Sequence, residues 1–113
     1  FTMATKDEII NMLENLRVKF DTSEIKSKFT GFNRTLQFHF TDLKISFHTC
    51  IHDETMDTFT EGELEKPNLL VTTDSGTLMG IMNGTLSPLD AYSVGSLKAK
   101  GSMTDLLKLQ ILM

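Results

Sequence analysis

Apolar residues near the start of the chain recur at helical intervals. Ile9, Leu13 and Leu16 lie three or four residues apart, which places them on one face of a helix. Thr5 and Glu8 have the spacing of a capping box, in which each side chain satisfies the backbone N–H of the other residue. The pattern predicts an amphipathic helix over residues 6–18. Residues 21–33 mix single apolar residues with polar ones, which is consistent with either a short second helix or a structured loop.

From Thr35 the hydrophobic period changes to two, as in a half-buried strand. A two-residue turn at residues 41–42 would form an antiparallel hairpin in which apolar residues oppose one another. The predicted pairs are Phe40 with Leu43, Phe38 with Ile45, and Leu36 with Phe47. A third strand is predicted over residues 56–63 and a fourth over residues 68–72. This half of the chain is therefore predicted to be a helix followed by a meander of strands.

The C-terminal half alternates short helices with one strand. Asp74 can cap a helix that ends at Gly84, and Pro88 opens another helix at the first-turn position, where its missing N–H costs nothing. Residues 97–100 alternate as a fifth strand, and Ser102 followed by Asp105 begins a final helix. Because a sheet with one apolar face needs helices to cover that face, the pattern predicts an α+β fold of two layers.

Size and composition indicate a single folded domain. The 113 residues, 40% hydrophobic and 23% charged, are typical of one globular domain, which we expect to span residues 3–113. We expect Phe1 and Thr2 to be a cloning remnant before a natural start at Met3. The formal net charge of −4 argues against a nucleic-acid partner. With no membrane-length apolar run, no recognisable signal peptide and a single cysteine, Cys50, we expect a cytoplasmic protein.

Few residues suggest catalysis or metal binding. The sequence has no nucleophile elbow, no phosphate-binding loop with its lysine and no paired cysteine motif. His48, Cys50 and His52 alternate on the polar face of a strand, with His39 on the neighbouring strand, but ligands roughly 6.6 Å apart along a strand converge poorly on one ion. We therefore expect no catalytic residue, no metal and no cofactor. An enzyme with a metal site on this polar face is the alternative.

The apolar residues are unusual in kind. Eight phenylalanines and seven methionines occur with one tyrosine and no tryptophan, and methionine side chains adapt to irregular spaces. Two interpretations stay open at this point. These residues either simply form the core, or they line a ligand cavity between the sheet and its helices, since small-molecule sites are mostly apolar.

Residues 68–101 and the final leucine-rich helix carry a specific succession of motifs. In order, they are a strand ending in Thr-Thr-Asp74, a helix with Thr77 and Ile81 closed by Asn-Gly84, a proline-started helix containing Ala91-Tyr92, and a strand between Gly95 and Gly101. In this order and spacing they resemble the sterol carrier protein 2 (SCP-2) domain family. The resemblance implies a five-stranded, mostly antiparallel sheet covered on one face by helices around an apolar tunnel. The resemblance does not imply peroxisomal targeting, because the last three residues, Ile111-Leu112-Met113, differ from a Ser-Lys-Leu targeting signal.

The family resemblance implies a function as well as a fold. We expect a non-enzymatic carrier that holds a fatty acid, fatty acyl-CoA, sterol or phospholipid and transfers it between membranes. The alternative is a non-catalytic accessory or dimerisation module that presents lipid to an enzyme partner. Expected partners are the lipid and, transiently, a membrane, with the protein a monomer or weak dimer and the helix from Met103 acting as a lid. The residues expected to line or support the tunnel are Phe38, Ile45, Phe47, Leu78, Ile81, Met82, Tyr92, Leu106 and Leu109.

Overall fold

Helices and strands account for most of the residues described, 4–113, in the computed structural model. The helices are α1 (Lys6–Phe20), α2 (Ser23–Lys26), α3 (Ser75–Met82), α4 (Pro88–Ser93) and α5 (Met103–Leu112), with a short 3-10 helix over Ser27–Phe29. The strands are β1 (Asn33–Phe40), β2 (Ile45–His52), β3 (Thr55–Met56), β4 (Thr60–Glu61), β5 (Leu69–Thr73) and β6 (Leu97–Lys100). The predicted start at Met3 and the cloning remnant before it lie outside the described residues.

The strands form one mixed sheet, and the predicted α+β fold is confirmed. Its order is β3-β2-β1-β5-β6, with β4 also pairing with β2. Strand β5 runs parallel to β1, whereas the other pairs are antiparallel. The sheet therefore has six strands rather than five. The predicted meander is wrong at its last step, because the chain crosses from the β2 edge to the far side of β1 before it forms β5.

The β1–β2 hairpin forms, but its predicted register is wrong by two residues. Phe40 pairs with Ile45 and Phe38 with Phe47, so the connection spans residues 41–44 instead of two residues. A two-residue hairpin turn favours positive φ at its central residues, which suits Asn and Gly better than the β-branched Thr41. In the longer connection it is Lys44 that takes positive φ, at 53°. Because the shift is even, the apolar residues of both strands stay on the predicted face.

The predicted third strand is split, and the chain then crosses the polar face of the sheet. Between β3 and β4 the ring of Phe59 turns inward and lies 6.0 Å from that of Phe38. After β4, the backbone N–H of Leu64 donates to Oε1 of Gln37 at 2.7 Å, and Nδ1 of His48 lies 3.0 Å from the carbonyl oxygen of Gly62. This crossing segment covers Gln37, which is why a residue of the predicted solvent-facing side is buried.

The helices cover the opposite, apolar face, and the predicted caps begin them. Thr5 and Glu8 form the capping box of α1, and the carboxylate of Asp74 accepts from the N–H of Thr77 at 2.8 Å. Behind these helices lies a core rich in phenylalanine, with Phe20, Phe38 and other rings fully buried. Among residues 4–113, the helices all fall short of the length and apolar character needed to cross a membrane.

One carboxylate fastens the β1–β2 connection to the start of α3. Asp42 accepts hydrogen bonds from the backbone N–H of Ser75, at 3.1 Å, and from the Ser75 hydroxyl. The same hydroxyl oxygen accepts from the N–H of Ala4. Burial alone would raise the pKa of Asp42, but the hydrogen bonds from Ser75 and from nearby backbone N–H groups hold that pKa below its usual value.

Polar contacts hold α5 against the beginning of β1. Nε of Arg34 donates to Oδ2 of Asp105 at 2.8 Å, and the Asp105 side chain is only 11% exposed. One turn later, Nζ of Lys108 donates to the carbonyl oxygen of Lys28 at 2.9 Å and lies 5.6 Å from the ring centre of Phe32. The last helix is thus anchored through its polar side, in addition to the buried Leu109 and Leu112 on its apolar side.

We expect Asp42→Asn to lower the free energy of unfolding by about 1–2 kcal/mol at neutral pH, because a charge-assisted hydrogen bond is replaced by a neutral one. The lowered pKa makes this contribution fully present above the carboxyl's ordinary pKa and lost as pH falls through the folded-state value. Urea denaturation from neutral to acid pH should therefore show the two proteins converging. The exposed Glu65→Gln is the control. A stability gap that stays constant with pH would contradict the role of Asp42.

Arg34→Gln should cost about 1–3 kcal/mol of stability, because it leaves the poorly exposed Asp105 carboxylate without its partner. The matched control is Arg17→Gln, which removes the partner of Glu14 on α1, a carboxylate that is 44% exposed, and should change stability by about 0.5 kcal/mol or less. Chemical denaturation measures both. Equal effects of the two substitutions would show that the Arg34 pair does not anchor α5.

Candidate functional site

Side-chain size falls along one row of residues that crosses the apolar face of the sheet. Phe47 on β2 pairs with Phe38 on β1, Phe38 with Val71 on β5, and Val71 with Ala99 on β6. Valine and alanine have much smaller side chains than the two phenylalanines and extend less far from the sheet. A space of about 160 Å³ lies beside Phe47, lined also by Phe59 and by Leu13 of α1. Over β5 and β6 the small side chains leave a gap.

That gap is an apolar cleft between the sheet, α4 and α5, with a volume of about 170 Å³. Its floor is formed by β5 and β6, through Val71, Leu97 and Ala99. One wall is formed by α4, through Pro88, Leu89 and Tyr92. The opposite wall is formed by α5 and the residue that follows it, through Met103, Leu106, Leu107, Leu109, Gln110 and Met113. Among the described residues that line the cleft, none carries a charged side chain, so the space suits an apolar group.

The rim of the cleft exposes large apolar side chains to solvent. Leu89 is 61% exposed, Leu107 is 58% exposed and Met103 is 70% exposed. Tyr92 is also exposed, with its aromatic ring in the wall of the cleft. Isolated exposed apolar residues are common, but residues clustered around an apolar opening indicate a surface that a ligand or partner can cover.

The structure brings three of the nine predicted tunnel residues together in the cleft: Tyr92, Leu106 and Leu109. Four others are buried in the core, namely Phe38, Phe47, Leu78 and Ile81, and Ile45 packs against that core while half-buried. Met82 lines a different space, an open groove between α1 and α3. This groove is larger, at about 390 Å³, but Glu8 and three asparagines form much of its wall, which makes it a poorer site for an apolar ligand.

The floor of the cleft and much of its rim are absent from the predicted tunnel residues. Val71, Leu97 and Ala99 occur in predicted strands, and strand alternation alone places them on the apolar face. Their small size relative to the phenylalanines of β1 and β2 was the available signal for a gap. On α5, Leu107 adds an apolar residue outside the stripe formed by Leu106 and Leu109, and that widening of the apolar stripe was a second signal.

The histidines lie elsewhere, on the polar side of the sheet and at its edge. Nδ1 of His39 lies 2.7 Å from the Ser46 hydroxyl, and Nε2 of His52 lies 2.9 Å from Oδ1 of Asp57. Across the part of the chain that the structure describes, no three His, Cys, Asp or Glu side chains are grouped closely enough to hold a metal ion.

Comparison with solved structures places the fold among known ones. A double mutant of the sec-alkyl sulfatase PisA1 superimposes with a TM-score of 0.77 at 22% identity, covering 97% of this chain but only 16% of that one. The ubiquinone synthesis protein UbiJ-SCP2 superimposes with a TM-score of 0.68 at 13% identity, covering 95% of this chain and 94% of that one. Palmitated SCP2L2 from Aedes aegypti superimposes with a TM-score of 0.66 at 16% identity, covering 89% of each chain. These similarities show the fold, and the chain spans about one sixth of the sulfatase.

Sequence comparison identifies the family directly. No curated protein sequence matches the chain. The SCP-2 sterol transfer family, however, matches residues 13–113, which include every strand, α2 to α5 and the whole of the cleft. The resemblance inferred from the motifs of the C-terminal half is therefore confirmed, and the chain belongs to the SCP-2 sterol transfer family.

Proposed function

We propose that this protein binds a single lipid molecule with its apolar part in the cleft between α4, α5 and the β5–β6 floor, and that it catalyses no reaction on that lipid. The observation that carries the proposal is an apolar space without charged lining, at the end of the sheet where the side chains are small. Membership of the SCP-2 sterol transfer family supports lipid binding or transfer. One protein of the same fold is described as palmitated.

The energetics favour an acyl or alkyl chain. A cavity of about 150 Å³ in another protein is large enough for benzene, so the cleft accepts a segment of roughly six carbons. Burying six methylene groups contributes about 5 kcal/mol before the costs of association are subtracted. The remaining length of a longer lipid then covers the exposed rim formed by Leu89, Met103 and Leu107. A fatty acid, fatty acyl-CoA, sterol or phospholipid all stay candidates, the bulkier ones requiring α4 or α5 to move outward.

We propose that Tyr92, Leu106 and Leu109 contact the ligand directly. The other residues predicted for the tunnel then act as its support, through the core on which the cleft is built. Transfer requires the cleft to open, and α5 is the movable cover, released when its contacts to Arg34 and Lys28 break. A cytoplasmic location and a monomeric or weakly dimeric state complete the proposal and stay predictions.

A second role, as an accessory module that presents lipid to an enzyme, is favoured by one observation. The fold recurs as a small part of a sec-alkyl sulfatase, of which this chain spans 16%. The two roles differ in what the isolated chain does. A carrier moves lipid between vesicles by itself, whereas an accessory module binds lipid but needs its enzyme partner for any further effect.

We expect Leu106→Trp to weaken the binding of 1-decanol, a minimal single-chain lipid, by about tenfold or more, because the larger side chain fills the cleft. Isothermal titration calorimetry measures the affinity, and circular dichroism checks that the variant folds. Met82→Trp is the matched control, since it places the same side chain at another half-buried position in the groove between α1 and α3. Loss of binding in the Met82 variant with normal binding in the Leu106 variant would show that the ligand binds in that groove and not in the cleft.

A further inference from the structure

Two cations that contact or belong to α5, Arg34 and Lys108, are engaged away from the cleft. Arg34 is paired with Asp105, and its guanidinium lies 5.3 Å from the ring centre of Phe32. Lys108 lies between two cleft residues in the sequence, yet its ammonium group contacts the carbonyl oxygen of Lys28 and the ring of Phe32 on another side of α5. Neither charge is therefore available to a ligand in the closed cleft.

The floor strand shows the same arrangement. Lys98 and Lys100 alternate with Leu97 and Ala99 along β6, and side chains alternate between the two faces of a strand. Since Leu97 and Ala99 form the floor, both lysines lie on the opposite face of the sheet. The charged residue that follows rim residue Leu89 is an aspartate, Asp90, which is exposed. Among the lining residues that the structure describes, none offers a cation to a negatively charged headgroup.

The uncharged polar groups of the lining are few. Gln110 is the one amide side chain among the described residues that line the cleft, and Tyr92 adds one phenolic hydroxyl. Both groups donate and accept hydrogen bonds without carrying charge. A partly desolvated carboxylate or sulfate needs a cation or several donors to offset its lost hydration, whereas a hydroxyl needs only one or two hydrogen bonds.

We propose that the cleft selects single-chain amphiphiles with an uncharged polar head, such as a long-chain alcohol, over alkyl anions of equal length. This inference rests on the proposed function, because it concerns the same cleft. The alkyl chain enters between α4 and α5, and the hydroxyl stays at the rim beside Gln110. The volume of about 170 Å³ favours one extended chain over a fused ring system.

Four ligands of equal chain length test the selectivity: 1-decanol, decanoate, decyl sulfate and decyltrimethylammonium. Calorimetry at low ionic strength and about pH 8, where carboxylates are ionised, compares their affinities below the concentrations at which they form micelles. We expect 1-decanol to bind about tenfold or more tightly than decanoate and decyl sulfate, and decyltrimethylammonium to bind more tightly than either anion. An anion that binds as tightly as the alcohol overturns the selectivity and leaves the proposed function standing. Failure of all four to bind overturns the proposed function itself.

Alcohols are also intrinsically more apolar than alkyl anions, so a variant must separate that effect from the missing cation. Gln110→Lys places an ammonium group at the exposed rim and should tighten the binding of decanoate and decyl sulfate by about tenfold relative to that of 1-decanol. The control is Thr104→Lys, which adds the same charge to an exposed position of α5 outside the cleft and should leave the anion affinities unchanged. Anion affinities that do not respond to Gln110→Lys, or that respond equally to both variants, overturn the inference.

Discussion

The unequal size of the side chains on one face of the sheet is the constraint from which the site follows. The large Phe38 and Phe47 on β1 and β2 are buried in the core, whereas the smaller Val71 and Ala99 leave a cleft beneath α4 and α5. Interiors are normally close-packed, and an unfilled apolar space loses dispersion contacts on every side. In the proposed function, a ligand in the cleft would restore those contacts, and the same feature that weakens the core here would provide the binding energy.

Two kinds of contact hold α5 in place beside the cleft. Leu109 and Leu112 bury their side chains, while Arg34 and Lys108 fasten the helix through polar and cation–π contacts near the start of β1. These polar contacts lie near the surface and respond to salt, unlike the buried apolar contacts. They also engage Arg34 and Lys108, so that neither cation faces the cleft. In the proposed function, one set of interactions would therefore both hold α5 over the cleft and disfavour anionic ligands.

The sequence was sufficient for the features that depend on near neighbours. Capping residues such as Asp74 and Ser102 located the helix starts, and strand alternation assigned the apolar face correctly. It was insufficient wherever distant segments compete. The hairpin register depended on the longer 41–44 connection, and the crossing of the polar face depended on a hydrogen bond from Leu64 to Gln37. The predicted site did not include Val71 and Ala99. A gap above the sheet depends on the combined sizes of side chains on strands that are distant in the sequence, and their pairing was not known.

A crystal structure of the protein with 10-bromo-1-decanol tests the location of the lipid site most directly, because anomalous scattering places the bromine without ambiguity. The proposed site predicts bromine in the cleft, in contact with Val71 on the floor and Leu106 on the wall, with the hydroxyl at the rim near Gln110. Bromine in the groove between α1 and α3, or on the outer surface above an empty cleft, would contradict it.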